Sequence, residues 1–127
     1  MPVESSNLIE GLAFEIKSHG FTLKADVSED LGGNNSAPSP HDYLEVSLAA
    51  CTAITLQMYA KRKNIPLQFT DVKVRITKEG SPNEILREIK LVGDLTTEEK
   101  QTLLKVADKC PMHKFISAGA KISSSLV

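Results

Sequence analysis

The chain has 127 residues, a formal net charge of −1 and 41% hydrophobic residues. This length supports one hydrophobic core, so we expect a single domain over residues 1–127. Because acidic and basic residues nearly balance, nucleic-acid binding has no electrostatic support. The N-terminus lacks a basic region followed by an apolar run, and no apolar stretch reaches the roughly 18 residues of a membrane span. We therefore expect a soluble, cytoplasmic protein without nucleic-acid or membrane partners.

The N-terminal part of the sequence predicts a β-hairpin followed by a loop. Residues 1–7 are polar and predict a loose segment. Apolar and polar residues alternate over 12–16 and again over 21–27, with the turn pair His19-Gly20 between them. The segment 28–38, SEDLGGNNSAP, is rich in glycine and asparagine and predicts a loop.

The stretch 39–65 predicts a helix of about 22–24 residues. Ser39 is a suitable N-cap, Pro40 fits the first helical position, and Asp42 completes a capping box. Cations, an asparagine and a proline end the helix near Asn64. Three- and four-residue steps predict an apolar stripe. The stripe contains Leu44, Leu48, Cys51, Thr55 and Met58, and it is widened by Ala49, Ala50, Ala53 and Ile54.

Two further strands and a second helix follow. Alternation over 72–77 and 85–92 predicts strands joined by a turn. Thr96 and Glu99 form a second capping box, so they predict a helix that ends near Lys109, ahead of a proline.

The C-terminal segment predicts a short helix and a last short strand. Pro111 suits the first helical position and makes Cys110 the N-cap of a helix that ends at Gly119. A thiol at that place feels the positive helix end, which favours a lowered pKa. The residues 121–127 predict the strand. The predicted order β-β-α-β-β-α-α-β is an α+β fold with a mostly antiparallel sheet against a long helix.

Two cysteines are the chemically distinctive residues of this chain. There is no C-x-x-C, glycine-rich phosphate loop or G-x-S-x-G motif. The spacing does not support a metal site made of Cys51, Cys110, His113 and His41, so we expect no metal and no cofactor. If the two thiols meet, a thiolate can attack the outer oxygen of a hydroperoxide, and the resulting sulfenic acid can condense with the second thiol. A buried cysteine that packs as a small hydrophobe is the alternative for Cys51.

Two blocks of the sequence resemble one protein family. LAACTAITLQMYAKRKNIPL, preceded by SPHDYLEV, and GDLTTEEKQTLLKVADKCPMHKFI resemble the conserved blocks of the OsmC/Ohr family, in the same order and at the same separation. The resemblance covers nearly the whole chain. It implies an OsmC-like domain in which mostly antiparallel sheets wrap long central helices in an intertwined homodimer. It also implies a thiol-dependent peroxidase for organic hydroperoxides: Cys51 attacks, Cys110 resolves, and a lipoyl-type dithiol or small thiol is the reductant.

The resemblance is weaker for the residues that activate the thiol. The well-studied branch of the family has an arginine in the N-terminal hairpin, whereas this chain has none before Arg62. Lys17 or Lys24 is the candidate substitute, although an ammonium lacks the planar fork of a guanidinium. That branch also has a glutamate at the helix start, and His41 occupies its position here.

Other roles remain open for several of these residues. Asp42 is a cap or an activating carboxylate, His41 a solvated residue or a partner, and His113 a packing or capping residue or a proton carrier. The alternative functions are a noncatalytic dimer that binds a small apolar or acyl ligand, and a thiol redox sensor. The pKa of Cys51 divides these hypotheses: a value near ~8.5 favours binding, and a much lower value favours the peroxidase.

Overall fold

A computed structural model describes residues 3–127, without the side chains of residues 4 and 5. The chain forms an α+β fold with antiparallel sheets, as predicted. Its compact units are Met1–Leu44 and Glu45–Val127. The elements are β1 (Val3–Glu10), β2 (Ala13–Ser18), β3 (Phe21–Ala25), α1 (Pro40–Arg62), β4 (Leu67–Lys78), β5 (Glu84–Gly93), α2 (Thr97–Ala107) and α3 (Pro111–Ala118), with a short 3₁₀ turn at Glu29–Leu31.

The first unit contains a three-stranded antiparallel sheet in the order β1-β2-β3. The predicted hairpin is confirmed: Ser18 pairs with Phe21 across a turn in which His19 and Gly20 have positive φ. The prediction of a loose N-terminal segment is wrong from Val3 onward, and residues 1 and 2 lie outside the described part. The described side chains of β1 are exposed, so neither face of this strand requires apolar residues. The sequence of β1 therefore lacks the polar–apolar alternation that would have predicted its pairing with β2.

The loop after β3 is organised around the buried carboxylate of Asp26. Its oxygens accept hydrogen bonds from the Ser36 hydroxyl at 2.6 Å and from the backbone N–H groups of Val27, Asn34 and Ser36 at 2.8–3.2 Å. The bond from the Ser36 hydroxyl, followed by those from the N–H groups, lowers the pKa of Asp26 from 3.8 to about 2. Gly33 packs so tightly there that an added Cβ would lie 2.2 Å from the Val27 carbonyl oxygen.

Helix α1 has 23 residues and the predicted ends. The Ser39 N–H donates to Asp42 at 2.8 Å, and the Asp42 N–H donates to the Ser39 hydroxyl at 3.1 Å, which is the expected capping box. At the other end Asn64 has a φ of 56°, and the Ile65 N–H donates to the Ala60 carbonyl at 2.8 Å. Among the described residues, no helix is both long and apolar enough to cross a membrane.

The buried face of α1 differs from the predicted stripe. Its buried residues recur at four-residue steps; they are Leu48, Thr52, Leu56 and Ala60. Leu44 and Met58, both predicted on the stripe, are 41% and 63% exposed. Small and apolar residues occur on several sides of α1 itself. Periodicity alone therefore does not identify the side of the helix that packs within the chain.

The second unit packs α1 and α2 with the β4–β5 hairpin. In that hairpin Val72 pairs with Ile89 and Val74 with Arg87. The central buried residues are Leu56, Ala60, Leu103, Val106 and Ala107, with Ile89 and Leu91 packed against them. The capping box of α2 is confirmed, with reciprocal bonds between Thr96 and Glu99.

The C-terminal segment confirms one prediction and corrects another. Cys110 is the N-cap of α3, Pro111 begins that helix, and Gly119 follows it. The predicted strand over 121–127 is wrong, because the structure assigns no strand there. The apolar side chains of Ile122, Leu126 and Val127 are exposed, so no packing within the described chain holds this segment as a strand.

Candidate active site

The two cysteines lie near each other within the second unit. α1 carries Cys51, one residue before the buried Thr52, and the N-cap position of α3 carries Cys110. Both are free thiols; Cys110 is fully buried, whereas Cys51 is partly exposed. They are near enough for each thiol to affect the ionisation of the other. The fold thus brings together two sulfurs that lie far apart in the sequence.

Cys110 is the more acidic thiol of the pair. Burial opposes its ionisation, but hydrogen bonding lowers its pKa below the usual value overall. The donors are the Cys51 thiol, the backbone N–H groups of His113 and Met112, and the Thr52 hydroxyl. The sulfur closes no full cap hydrogen bond on α3, so these N–H groups act through looser contacts. The direction agrees with the expectation for a thiol at this helix N-terminus.

The pKa of Cys51 shifts in the opposite direction. Burial raises its pKa, and the interaction with Cys110, through a hydrogen bond and through charge repulsion, raises it further. The Met112 N–H and the Thr55 hydroxyl act in the other direction but do not reverse the shift. The two thiols therefore form a pair whose first proton leaves Cys110, with Cys51 as the donor of a hydrogen bond to the thiolate.

A charged cluster lies behind Cys110. The Thr52 hydroxyl donates to the Leu48 carbonyl at 2.7 Å, and Arg87 Nη1 donates to Thr52 Oγ1 at 3.2 Å. Arg87 Nη2 donates to Asp108 Oδ1 at 3.0 Å, and His113 Nδ1 lies 3.7 Å from the same oxygen. The Arg87 side chain is only 12% exposed. A guanidinium therefore stands one hydroxyl group away from the acidic thiol.

The sequence interpretation missed Arg87, although the sequence held a signal. Arg87 shares one face of β5 with Ile85, Ile89 and Leu91, the apolar series that the alternation predicts to be covered. A charged side chain at a covered position needs a partner, and Thr52 and Asp108 are those partners. The partners belong to other elements, so only the fold identifies them.

The remaining candidates divide between the two units. His113 lies in the second unit beside Cys110, to which it offers its backbone N–H, while its ring faces Asp108. Lys24, His41 and Asp42 belong to the first unit. Asp42 forms the cap of α1 and His41 is exposed in the first turn. The Lys24 carbonyl accepts a hydrogen bond from Tyr43, and its side chain is exposed.

Two further features bear on ligands. Across the described side chains, no group of three or more His, Cys, Asp or Glu could hold a metal ion. A surface depression of about 410 Å³ lies toward the C-terminal end of α1. Its lining residues are Gln57, Met58, Lys61, Ile65 and Leu67. Neither thiol lines it, so this depression is separate from the thiol pair.

Comparison with known proteins identifies the family. The family model described as OsmC-like protein matches residues 33–125, and no curated protein matches the sequence. A protein from Psychrobacter arcticus 273-4, named for osmotic stress induction and detoxification, is 21% identical with a TM-score of 0.76, covering 90% of this chain and 87% of its own. An organic hydroperoxide resistance protein OsmC from Legionella pneumophila is 18% identical, with a TM-score of 0.65 and coverages of 85% and 89%. One from Elizabethkingia anophelis is 21% identical, with a TM-score of 0.63 and coverages of 86% and 84%. These structures share the fold, and the family match shows that this chain belongs to the OsmC-like proteins.

Proposed function

We propose that this protein is a thiol-dependent peroxidase that reduces organic hydroperoxides through Cys51 and Cys110. The observation that carries the proposal is the paired arrangement of two free thiols, one of them acidic, on α1 and at the start of α3. Two structural relatives are named organic hydroperoxide resistance proteins, which supports the same substrate class. Because thiols that turn over must be kept reduced, we place this activity in the cytoplasm.

Access and acidity assign different roles to the two sulfurs. Cys51 is partly exposed and Cys110 fully buried, so a hydroperoxide reaches Cys51 first. The Cys110 thiolate accepts the hydrogen bond of Cys51 and serves as the acceptor of its proton. The Cys51 sulfur then bonds to the outer peroxide oxygen and the O–O bond breaks. The alkoxide takes up that proton and leaves as an alcohol, so Cys51 becomes a sulfenic acid and Cys110 remains a thiolate.

The same thiolate completes the oxidative half of the cycle. The Cys110 sulfur attacks the Cys51 sulfur, the S–O bond breaks, hydroxide leaves, and a Cys51–Cys110 disulfide forms. Two protons and two electrons from a dithiol then restore both thiols, and the dithiol becomes a disulfide. We propose a lipoyl-type or small dithiol as this reductant. The low pKa of Cys110 suits this step, because the thiolate is the attacking form.

We further propose that the working form is a homodimer built on α1. The exposed side of α1 carries Val46, Ile54 and Met58, which are 56%, 59% and 63% exposed. A helix that is apolar on all sides is typical of an element that is buried all round. A second copy of the chain would cover this face, and the OsmC/Ohr resemblance implies the same arrangement.

The intact mass of the reduced protein tests the peroxidase directly. One equivalent of cumene hydroperoxide is added to the reduced chain, which is quenched and denatured without reductant. We expect a rapid loss of about 2 Da, which digestion maps to a Cys51–Cys110 disulfide. An unchanged mass over minutes would contradict the proposal.

One observation favours the second candidate, a noncatalytic dimer that binds a small apolar or acyl ligand. The pKa of Cys51 is raised, whereas an isolated attacking thiol needs a lowered one. The two functions separate in the same mass experiment. Under the binding hypothesis peroxide leaves the mass unchanged, and a small-molecule ligand is detected by native mass spectrometry instead.

A further inference from the structure

We propose that Arg87 is the positioning cation of the thiol pair: through the Thr52 hydroxyl, it holds Cys110 in the thiolate form. The catalytic consequence rests on the proposed peroxidase function, whereas the effect on Cys110 is independent of any peroxide. The placement of the guanidinium carries the inference. It bridges Thr52 on α1 and Asp108 at the end of α2, and Thr52 in turn contacts Cys110.

The burial of Arg87 is the first argument. A guanidinium is rarely buried without partners, because the loss of hydration is costly. Here the side chain is 12% exposed, while its carboxylate partner, Asp108, is 66% exposed. The carboxylate is thus largely in water, where its charge is screened, and the arginine is not. Its positive charge therefore acts mainly on what lies inside, which is Thr52 and the thiol behind it.

The proton count at Thr52 is the second argument. A hydroxyl has one proton and two lone pairs. Arg87 donates to one lone pair of Thr52 Oγ1, and the proton has two possible acceptors, the Leu48 carbonyl and the Cys110 sulfur. When Cys110 ionises, the thiolate becomes the better acceptor and the hydroxyl proton turns toward it. Arg87 keeps the oxygen in place and polarises the hydroxyl, which strengthens that bond.

The charged and titratable groups around Cys110 come from four elements, and Lys109 precedes it in the chain with an exposed side chain. α1 contributes Cys51, β5 contributes Arg87, the end of α2 contributes Asp108, and α3 contributes His113. Arg87 favours the thiolate and Asp108 opposes it. Removing these two charges must therefore move the ionisation of Cys110 in opposite directions. A merely structural network would respond in the same way to the loss of either partner.

The experiment titrates Cys110 alone, in the Cys51→Ser variant of the whole chain, by the ultraviolet absorbance of the thiolate. We expect Arg87→Met to raise the midpoint by about 0.5–1 pH unit. Asp108→Asn, which keeps an oxygen acceptor for Arg87, should lower the midpoint by a few tenths of a unit. Arg87→Lys should restore part of the loss, because it returns the charge without the fork. Arg75→Met, an exposed position on β4, is the matched control and should leave the midpoint unchanged.

Substitution of Thr52 tests whether Arg87 acts on Cys110 through the Thr52 hydroxyl. Thr52→Val should raise the midpoint, and adding Arg87→Met should raise it by less than the sum of the two single effects. Shifts of the same sign in Arg87→Met and Asp108→Asn, or no shift in Arg87→Met, would overturn the inference. If Arg87→Met does not fold, Thr52→Val and Asp108→Asn decide by their opposite signs. Because no peroxide enters the titration, failure of the peroxidase proposal would leave its result intact.

Discussion

The Asp26 loop and the Cys51–Cys110 pair solve the same physical problem with different consequences. Each lowers the pKa of a buried acidic group with four hydrogen-bond donors that include a hydroxyl. The donors of Asp26 come from residues 27–36 of one loop. Those of Cys110 come from α1 and α3, and one of them is itself an ionisable thiol. The carboxyl of Asp26 has no redox-active group among its donors, whereas Cys110 has a second thiol among its donors.

The chemistry of the donors also distinguishes the role of the Asp26 loop from that of the thiol pair. The four donors of Asp26 are backbone N–H groups and a serine hydroxyl, which cannot exchange a proton with it near neutral pH. The loop is therefore structural, although the pKa of its Asp26 carboxyl is strongly lowered. A lowered pKa by itself does not mark a reactive site; the chemistry of the donors does.

The largest effect is expected from removal of the Cys51 sulfur. We expect Cys51→Ser to lower peroxide turnover by ~10³-fold or more, because no other partly exposed thiol remains. Cys110→Ser should permit one oxidation and then accumulate sulfenic or over-oxidised Cys51. Peroxide consumption and intact mass measure both variants. Equal consumption by the wild-type chain and Cys51→Ser would refute the assignment.

A methyl group at Gly33 should destabilise the Asp26 loop. Gly33→Ala places a Cβ 2.2 Å from the Val27 carbonyl oxygen and 2.7 Å from Asp26 Oδ1, which the backbone can relieve only by moving. We expect a loss of about 3 kcal/mol in the free energy of unfolding. Chemical denaturation measures it. Gly20→Ala is the control: nothing lies within 4 Å of its Cβ, so only its positive φ should cost about 1 kcal/mol. Similar losses in the two variants would show that the close packing at Gly33 is unimportant.

The stability that the Asp26 loop contributes should depend on pH in the acid range. The pKa of Asp26 is lowered from 3.8 to about 2, so its stabilising effect is complete above pH 3.8 and is lost as pH falls through about 2. We expect Asp26→Asn to be less stable near neutral pH and to lose the pH dependence of stability in that window. Denaturation across the acid range measures the slope. Asp30→Asn, at an exposed position of the same loop, should retain it.

Local structure was largely predictable because its causes are local. The capping boxes at Ser39 and Thr96 and the cap at Cys110 were confirmed, since each depends on residues within one helical turn. The pairing of β1 and the buried face of α1 were not predicted. Both depend on partners distant in sequence, and the side chains themselves carry no periodic signal of the choice.

The positions of the two cysteines on their helices were predictable from the sequence, whereas the electrostatics around them was not. Both cysteines were identified from the sequence, but the direction of the Cys51 pKa shift depends on burial and on Cys110, which only the fold supplies. Because the hairpin has no arginine, the sequence offers only lysines near the N-terminus as cations for the site. Arg87, hidden in the apolar series of β5, required the register of the sheet and its contact with Thr52.

The smallest expected effect concerns Asp42, for which the sequence left capping and thiol activation open. Asp42 accepts a hydrogen bond from the Ser39 N–H at 2.8 Å, an interaction that accounts for its place in the first turn of α1. We expect Asp42→Ala to lower the free energy of unfolding by about 1 kcal/mol and to leave single-turnover oxidation of Cys51 within about twofold of the wild-type rate. Asp42→Asn, which keeps an oxygen acceptor without the charge, should recover most of the stability. A large loss of oxidation rate in both variants, with little loss of stability, would instead make Asp42 part of the reactive site.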